Sequence, residues 1–252
     1  MSSLALLPSG VIFPLYIYPS DNCAGWAPLV SSISTHRTLQ FTIIVDPASG
    51  PGSADSQPDT NYQACIAQLR STGAANGDNV RILGYVATGH GSRTVSAVLT
   101  DIGTYNGWSA AYRPDGIFFD EAATDPSFLS NYQSFTTTVR NEFGPNSYIV
   151  LNPGAVPDTG YFSIAHLVVS FEGFYSDFSA SSIPISSATP ANKQAAIIHD
   201  GPTNVNLTTV RTLTRTVGVG ASFLTDFPNA VAYENYPTDW TTYLNDLVST
   251  QA

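Results

Sequence analysis

Eight short, nearly unbroken apolar runs recur along the 252-residue chain, with helix-like segments or loops between them. They are VIFPLYIYP from Val11, LQFTIIVDP from Leu39, VRILGYVATG from Val80 and GIFFDEA from Gly116. YIVLNPG from Tyr148, HLVVSFEG from His166, QAAIIHDG from Gln194 and VGASFLTD from Val219 complete the set. Half-exposed strands alternate apolar and polar residues; continuous Val/Ile/Phe/Leu runs suit parallel strands buried on both faces. Strand–helix alternation repeated eight times requires a parallel sheet. Eight units in a chain of this length favour closure into a single TIM-type (β/α)8 barrel, which typically needs about 250 residues. The expectation is one α/β domain over 1–252, with its core at about 10–250.

The intervening segments carry helix signals. WAPLVSSIS follows the first run. TNYQACIAQLRST opens on Thr60 as a candidate N-cap and sets Tyr62, Ile66 and Leu69 on one face. TVSAVLTDIGTYNGW follows the third run. In DPSFLSNYQSFTTTVRNEFG, Asp125 reads as the cap, Pro126 as the first helical residue and Gly144 as the stop. NLTTVRTLTRTVG precedes the last run and PTDWTTYLNDLVST closes the chain. FYSDFSASSIPISSATPANKQ, after the sixth run, reads as loop with at most a short helix.

Composition narrows the partners. The net charge is −10 and Lys193 is the only lysine, which excludes a basic face for nucleic acid. No stretch is long enough to span a membrane. MSSLALLPSG has too short an apolar run, and no basic start, for an export signal. A secreted or cell-surface protein whose signal has been removed fits these facts. Cys23 and Cys65 lack metal-type spacing; a disulfide is slightly favoured over two free thiols. His36, His90, His166 and His199 show no ligand spacing, so no metal and no cofactor is expected. There is no G-x-S-x-G elbow and no phosphate-loop lysine. A monomer is the default.

Barrel active sites lie at the C-terminal ends of the strands. Reading the residue that ends each run collects Tyr16 and Tyr18, Asp46, His90, Asp120 with Glu121, Asn152, Glu172, His199 with Asp200, and Asp226. The chain has only four glutamates, and two of them, Glu121 and Glu172, fall here, inside FFDEA and SFEGF. A carboxylate beside Phe without a basic neighbour is costly unless paired or protonated. Glycoside hydrolysis needs two carboxyl groups flanking the scissile bond. Asp120 and Glu172, from the fourth and sixth strands, can face each other across a barrel mouth. An apolar rim of Phe119, Phe171 and Phe174 would raise the pKa of one of them. Tyr16, Tyr18, Tyr85, Trp108 and Tyr175 offer faces for sugar rings, and His90 and His199 offer hydrogen bonds. The plainer alternatives are a turn-capping Asp120, a backbone-bonded Glu172, aromatic side chains in core packing and satisfied rim histidines.

PLYIYP, PASGPG, GYVATGHGSR, GIFFDEA, LNPG and SFEG, in this order over about residues 10 to 250, resemble the spherulin-4-like proteins, grouped as glycoside hydrolase family 135. The resemblance implies a (β/α)8 fold and secreted or cell-surface proteins. It implies endo-hydrolysis of α-1,4-linked N-acetylgalactosamine in galactosaminogalactan, an exopolysaccharide of fungal biofilms. The family's essential acids match Asp120, Glu121 and Glu172. The expected roles are Glu172 as general acid/base, Asp120 as nucleophile or stabiliser and Glu121 as a positioning group. Tyr16, Tyr18, Asp46, Tyr85, His90, Asn152, Phe171, His199 and Asp226 are the expected substrate-binding residues. The alternative is a non-catalytic carbohydrate-binding or developmental surface barrel, since a barrel alone never proves catalysis.

Overall fold

The computed structural model describes residues 6–204 and 206–251. Residues 1–5, half of the stretch read for an export signal, lie outside the described residues, as do Val205 and Ala252. The eight runs form eight parallel strands: β1 (Gly10–Leu15), β2 (Phe41–Val45), β3 (Val80–Ala87), β4 (Gly116–Asp120), β5 (Tyr148–Leu151), β6 (Leu167–Phe174), β7 (Gln194–His199) and β8 (Ala221–Leu224). Each pairs with its neighbour in sequence order. β8 returns to β1 through Gly10↔Ala221 and Val11↔Ser222, so the barrel closes and no sheet edge remains. The continuous burial of β1, β2, β7 and β8 accounts for their predominantly apolar sequence.

The helices are α1 (Ala27–Thr35), α2 (Thr60–Ala75), α3 (Val95–Asn106), α4 (Leu129–Phe143), α5 (Tyr161–Ile164), α6 (Leu207–Arg211) and α7 (Trp240–Ser249). The cap of α2 is corrected by one residue. Asp59, not Thr60, takes the backbone N–H groups of Asn61 and Tyr62, and Thr60 is the first helical residue. An extended Asp at the cap leaves the following residues free to turn. Asp125 caps as expected, but Pro126–Phe128 forms a 3-10 turn before α4 begins, and Gly144 ends the helix at φ 94°. Between β6 and β7 the described residues make three 3-10 turns and no α-helix. α6 continues into a wider π turn over Thr212–Val217, which Gly218 closes in the left-handed region.

Close approach decides one glycine. At Gly84 an added Cβ would meet the Tyr105 ring at 2.7 Å, so α3 lies tight against β3 only because that position is bare. Among the open alternatives, Cys23 and Cys65 are joined as a disulfide, with Cα atoms 5.4 Å apart. The bridge ties the turn after β1 to α2 and closes a loop of 42 residues. The chain-entropy relation for a loop of that length gives about 4 kcal/mol. Replacing both cysteines by serine is therefore expected to lower the unfolding free energy by about 2–4 kcal/mol in urea titrations. A loss below about 0.5 kcal/mol would show that the bridge leaves the unfolded chain unconstrained.

Candidate active site

β4 delivers Asp120 as its last residue. Phe119 points the other way and stacks on Phe135 of α4, with ring centroids 5.8 Å apart. By the two-residue period of a strand, Asp120 then faces the barrel mouth together with Phe118. Asn152 follows β5 directly and is buried. Its side-chain carbonyl accepts the N–H of Gly154 at 3.1 Å, a turn that Gly154 completes at φ 66°. That contact sets the amide's orientation and turns its NH2 group toward the mouth. There it donates to Asp120 Oδ1 at 2.7 Å and to Glu172 Oε2 at 2.5 Å. Both acids thus share one nitrogen, and these two oxygens lie no more than about 5 Å apart. The Glu172 backbone N–H bonds to the carbonyl of Gly154, which locks β6 to the same turn.

Three tyrosines complete the surroundings. Tyr85 donates to Asp120. Tyr233 donates a short bond to Glu172 Oε1, the oxygen that Asn152 leaves free. Tyr16 stands between them, edge-on to Tyr85 at 5.7 Å and to Tyr233 at 5.5 Å. Burial holds all three phenols protonated, and the nearby carboxylates add to that effect. A pocket of about 380 Å³ opens over the acids, and His90, Glu121, Asn152, His199 and Asn229 are among its lining residues.

Electrostatics penalise this arrangement. Asp120 is pushed up to about 6, first by burial and then by the negative charge of Glu172; bonds from Tyr85, the Glu121 backbone and Asn152 pull the other way. Asp46 is also raised to about 6, by burial and by Asp120, despite accepting the Gly50 N–H at 2.5 Å. No ion pair among the described residues involves Asp46, Asp120 or Glu172. The upward shift therefore falls on Asp120, the residue expected to be the nucleophile. Its causes are burial and a like charge, with tyrosines around it, rather than a phenylalanine rim.

The expected residues divide into three groups. Asp120, Glu121, Asn152, Glu172, His90 and His199 meet at the pocket. Glu121 is exposed, at φ 48°, and its carbonyl accepts the His90 N–H and the Thr88 hydroxyl. His199 is buried, and its Nδ1 lies 2.7 Å from Asp200 Oδ2. Tyr16, Tyr85 and Asp46 form the adjoining wall on the β1–β3 side, within the electrostatic reach of Asp120. Tyr18 is farther out, exposed and bonded to Asp59 and Asn61. Two expectations are corrected. Phe171 is one residue out of phase with Glu172 and packs on Phe178 at 5.3 Å instead of rimming the acids. Asp226 spends both carboxylate oxygens on Thr238, where it anchors the approach to α7. Trp108 is buried and holds the carbonyl of Ser56, and Tyr175 bonds Thr209, so neither offers a sugar platform at the acids.

Tyr233 and Asn229 escaped the sequence reading because they come from the loop after β8 and not from a strand end. The one signal was the density of aromatic residues in AYENYPTDW.

Residues 10–247 match Spherulin4, the spherulation-specific family 4. The chain belongs to this family. Spherulin-4 of Physarum polycephalum is 35% identical over 166 residues, which is 66% of this chain and 45% of that protein. The aligned part thus spans less than half of that curated relative. The crystal structure of Aspergillus clavatus Sph3, solved in complex with GalNAc, superposes with a TM-score of 0.83 at 34% identity, covering 96% of this chain and 98% of that one. A Bacteroides thetaiotaomicron chitinase, at 10% identity and a TM-score of 0.60 over 96% of both chains, shares the fold alone.

A raised carboxyl binds its proton more tightly in the folded protein than in the unfolded chain, where aspartate titrates near about 3.9. The penalty is therefore fully present above about pH 6 and relieved as pH falls toward about 4. Asp120→Asn removes a like charge and is expected to stabilise the fold at pH 7 by on the order of 1–2 kcal/mol, allowing for residual solvent. The gain should vanish at pH 4. Thermal melts at both pH values read this out, and a destabilised variant at pH 7 would contradict the electrostatic account.

Proposed function

We propose that this spherulin-4 family member is an endo-acting glycoside hydrolase of the family 135 type. Its substrate is α-1,4-linked N-acetylgalactosamine in a galactosaminogalactan-type polysaccharide. The observation that carries the reading is the Asp120–Asn152–Glu172 cluster. Carboxyl groups about 5–5.5 Å apart serve retaining glycosidases, whereas inverting enzymes need roughly 6.5–9.5 Å to admit a water. One oxygen of each acid lies within about 5 Å of the other through the shared amide, which supports the retaining reading. The likeness to Sph3, a protein solved with GalNAc, supports the sugar class.

The chemistry follows from the pair. Hydrolysis needs one carboxyl ionised and one protonated, and Asp120, raised to about 6, is ionised above that pH. Asp120 sits on the strand itself with three donors around it, which suits a nucleophile that is held as an anion before it attacks the anomeric carbon. Glu172, on the longer side chain, protonates the departing glycosidic oxygen and then deprotonates the water that releases the sugar. Glu121, exposed at the pocket, positions substrate hydroxyls. Tyr16, Asp46, Tyr85, His90, Asn152 and His199 shape the binding site. The disulfide suits a secreted or cell-surface setting, because such bridges persist in oxidising compartments.

The test is incubation of purified polymer with wild type, Asp120→Asn and Glu172→Gln, followed by mass spectrometry of soluble products. Wild type should release N-acetylgalactosamine oligomers. Each variant should lose activity by at least about 100-fold, the scale of a general acid/base or nucleophile contribution. Wild-type turnover in either variant would remove that acid from the mechanism. Polymer that binds but is never shortened would establish the carbohydrate-binding alternative.

A further inference from the structure

Leu6, Tyr18, Phe174 and Ile185 are the large apolar side chains exposed among the described residues. Phe174 differs from the others in where it stands. It ends β6, two residues beyond Glu172, so both side chains project from the same side of the strand. The step from one to the other is about 6.6 Å. Its register partner on β7 is His199, which lines the pocket over the acids. The two rings meet at 4.9 Å and 72°, so His199 covers one flank of Phe174. Half of Phe174 nevertheless remains open to solvent, at 50% exposure. A large ring held in place beside a polar pocket, with its remaining surface bare, is poised to receive an apolar face from a ligand.

We propose that Phe174 is the stacking platform of a separate sugar subsite. It would hold the pyranose ring next along the chain from the one over Asp120 and Glu172. A galacto-configured ring presents the C–H bonds of C3, C4 and C5 on one face, which is the apolar surface such a platform recognises. The subsite rests on the hydrolase reading only for its location beside the acids. It explains how a polymer is gripped beyond the residue being cleaved, and so accounts for endo-action on long chains.

The test measures binding in a Glu172→Gln background, where the ligand stays intact. Calorimetry compares N-acetylgalactosamine oligomers with the free monosaccharide. Adding Phe174→Ala should weaken oligomer binding about tenfold, equivalent to ~1.4 kcal/mol, and leave monosaccharide binding as it was. Phe174→Leu, which keeps apolar bulk against His199, should weaken oligomer binding similarly, and Phe174→Trp should restore it. Equal oligomer affinity in the parent and Phe174→Ala overturns the subsite, as does an equal loss for the monosaccharide. Turnover of the polymer by wild type is measured alongside. Phe174-dependent binding without turnover keeps the subsite and rejects the hydrolase. Turnover with no dependence on Phe174 does the reverse, and neither binding nor turnover rejects both.

Discussion

Two carboxylates hydrogen-bonded to one amide nitrogen are the constraint around which the mouth of this barrel is organised. Asn152 can donate to Asp120 and Glu172 together only because its carbonyl is already committed to the Gly154 N–H. That turn also takes the backbone N–H of Glu172, so β4, β5 and β6 are held in register at their ends by one small hydrogen-bonded unit. A closed parallel barrel is the scaffold that makes this possible, because it brings the last residues of neighbouring strands to one rim. The arrangement is expensive electrostatically. Burial and mutual repulsion lift Asp120 toward neutrality, and no cation among the described residues pairs with it. Three further residues lining or bordering the pocket, His90, Glu121 and Asp200, adopt positive φ values without being glycine. Strain and unrelieved charge gathered at one rim are what a site shaped for chemistry shows.

The wall of tyrosines explains how the cluster tolerates that charge. A phenylalanine rim would only desolvate the acids, whereas Tyr85 and Tyr233 desolvate them and donate to them at once. Tyr233 also binds β1 through its backbone, accepting the Tyr16 N–H at 3.1 Å. The loop after β8 is thereby fastened to the first strand and to Glu172. On the other side Asp200 ties His199 to the backbone of Asn229, so the same loop is anchored at two points around the pocket.

Much of this was legible in the sequence because parallel strands buried on both faces write themselves as continuous apolar runs. Once eight such runs are found, the polar residue that ends each one is on the mouth, which is how Asp120, Asn152, Glu172 and His199 could be named. A strand-end position alone does not settle where a residue points when its direction depends on phase. Phe171 lies beside Glu172 in sequence and on the opposite side in space, and Asp226 follows its strand but turns to Thr238. Nor do strand ends reveal residues carried in by loops, such as Tyr233 and Asn229, whose position depends on how a connection folds back. The cap of α2 slipped by one residue because Asp59 and Thr60 are both good caps, and only backbone geometry separates them. The pairing of Cys23 with Cys65 needed the distance between the turn after β1 and α2, which no spacing rule supplies.

We infer that the Asn152 amide holds Asp120 and Glu172 close enough to act as a double-displacement pair. Time-resolved proton NMR of the first product released from the α-linked polymer tests it directly. Double displacement releases the newly formed reducing end as the α-anomer, which only later equilibrates with the β form. Initial appearance of the β-anomer would mean a single displacement by water, and would contradict the role given to Asp120 and the geometry from which it was argued.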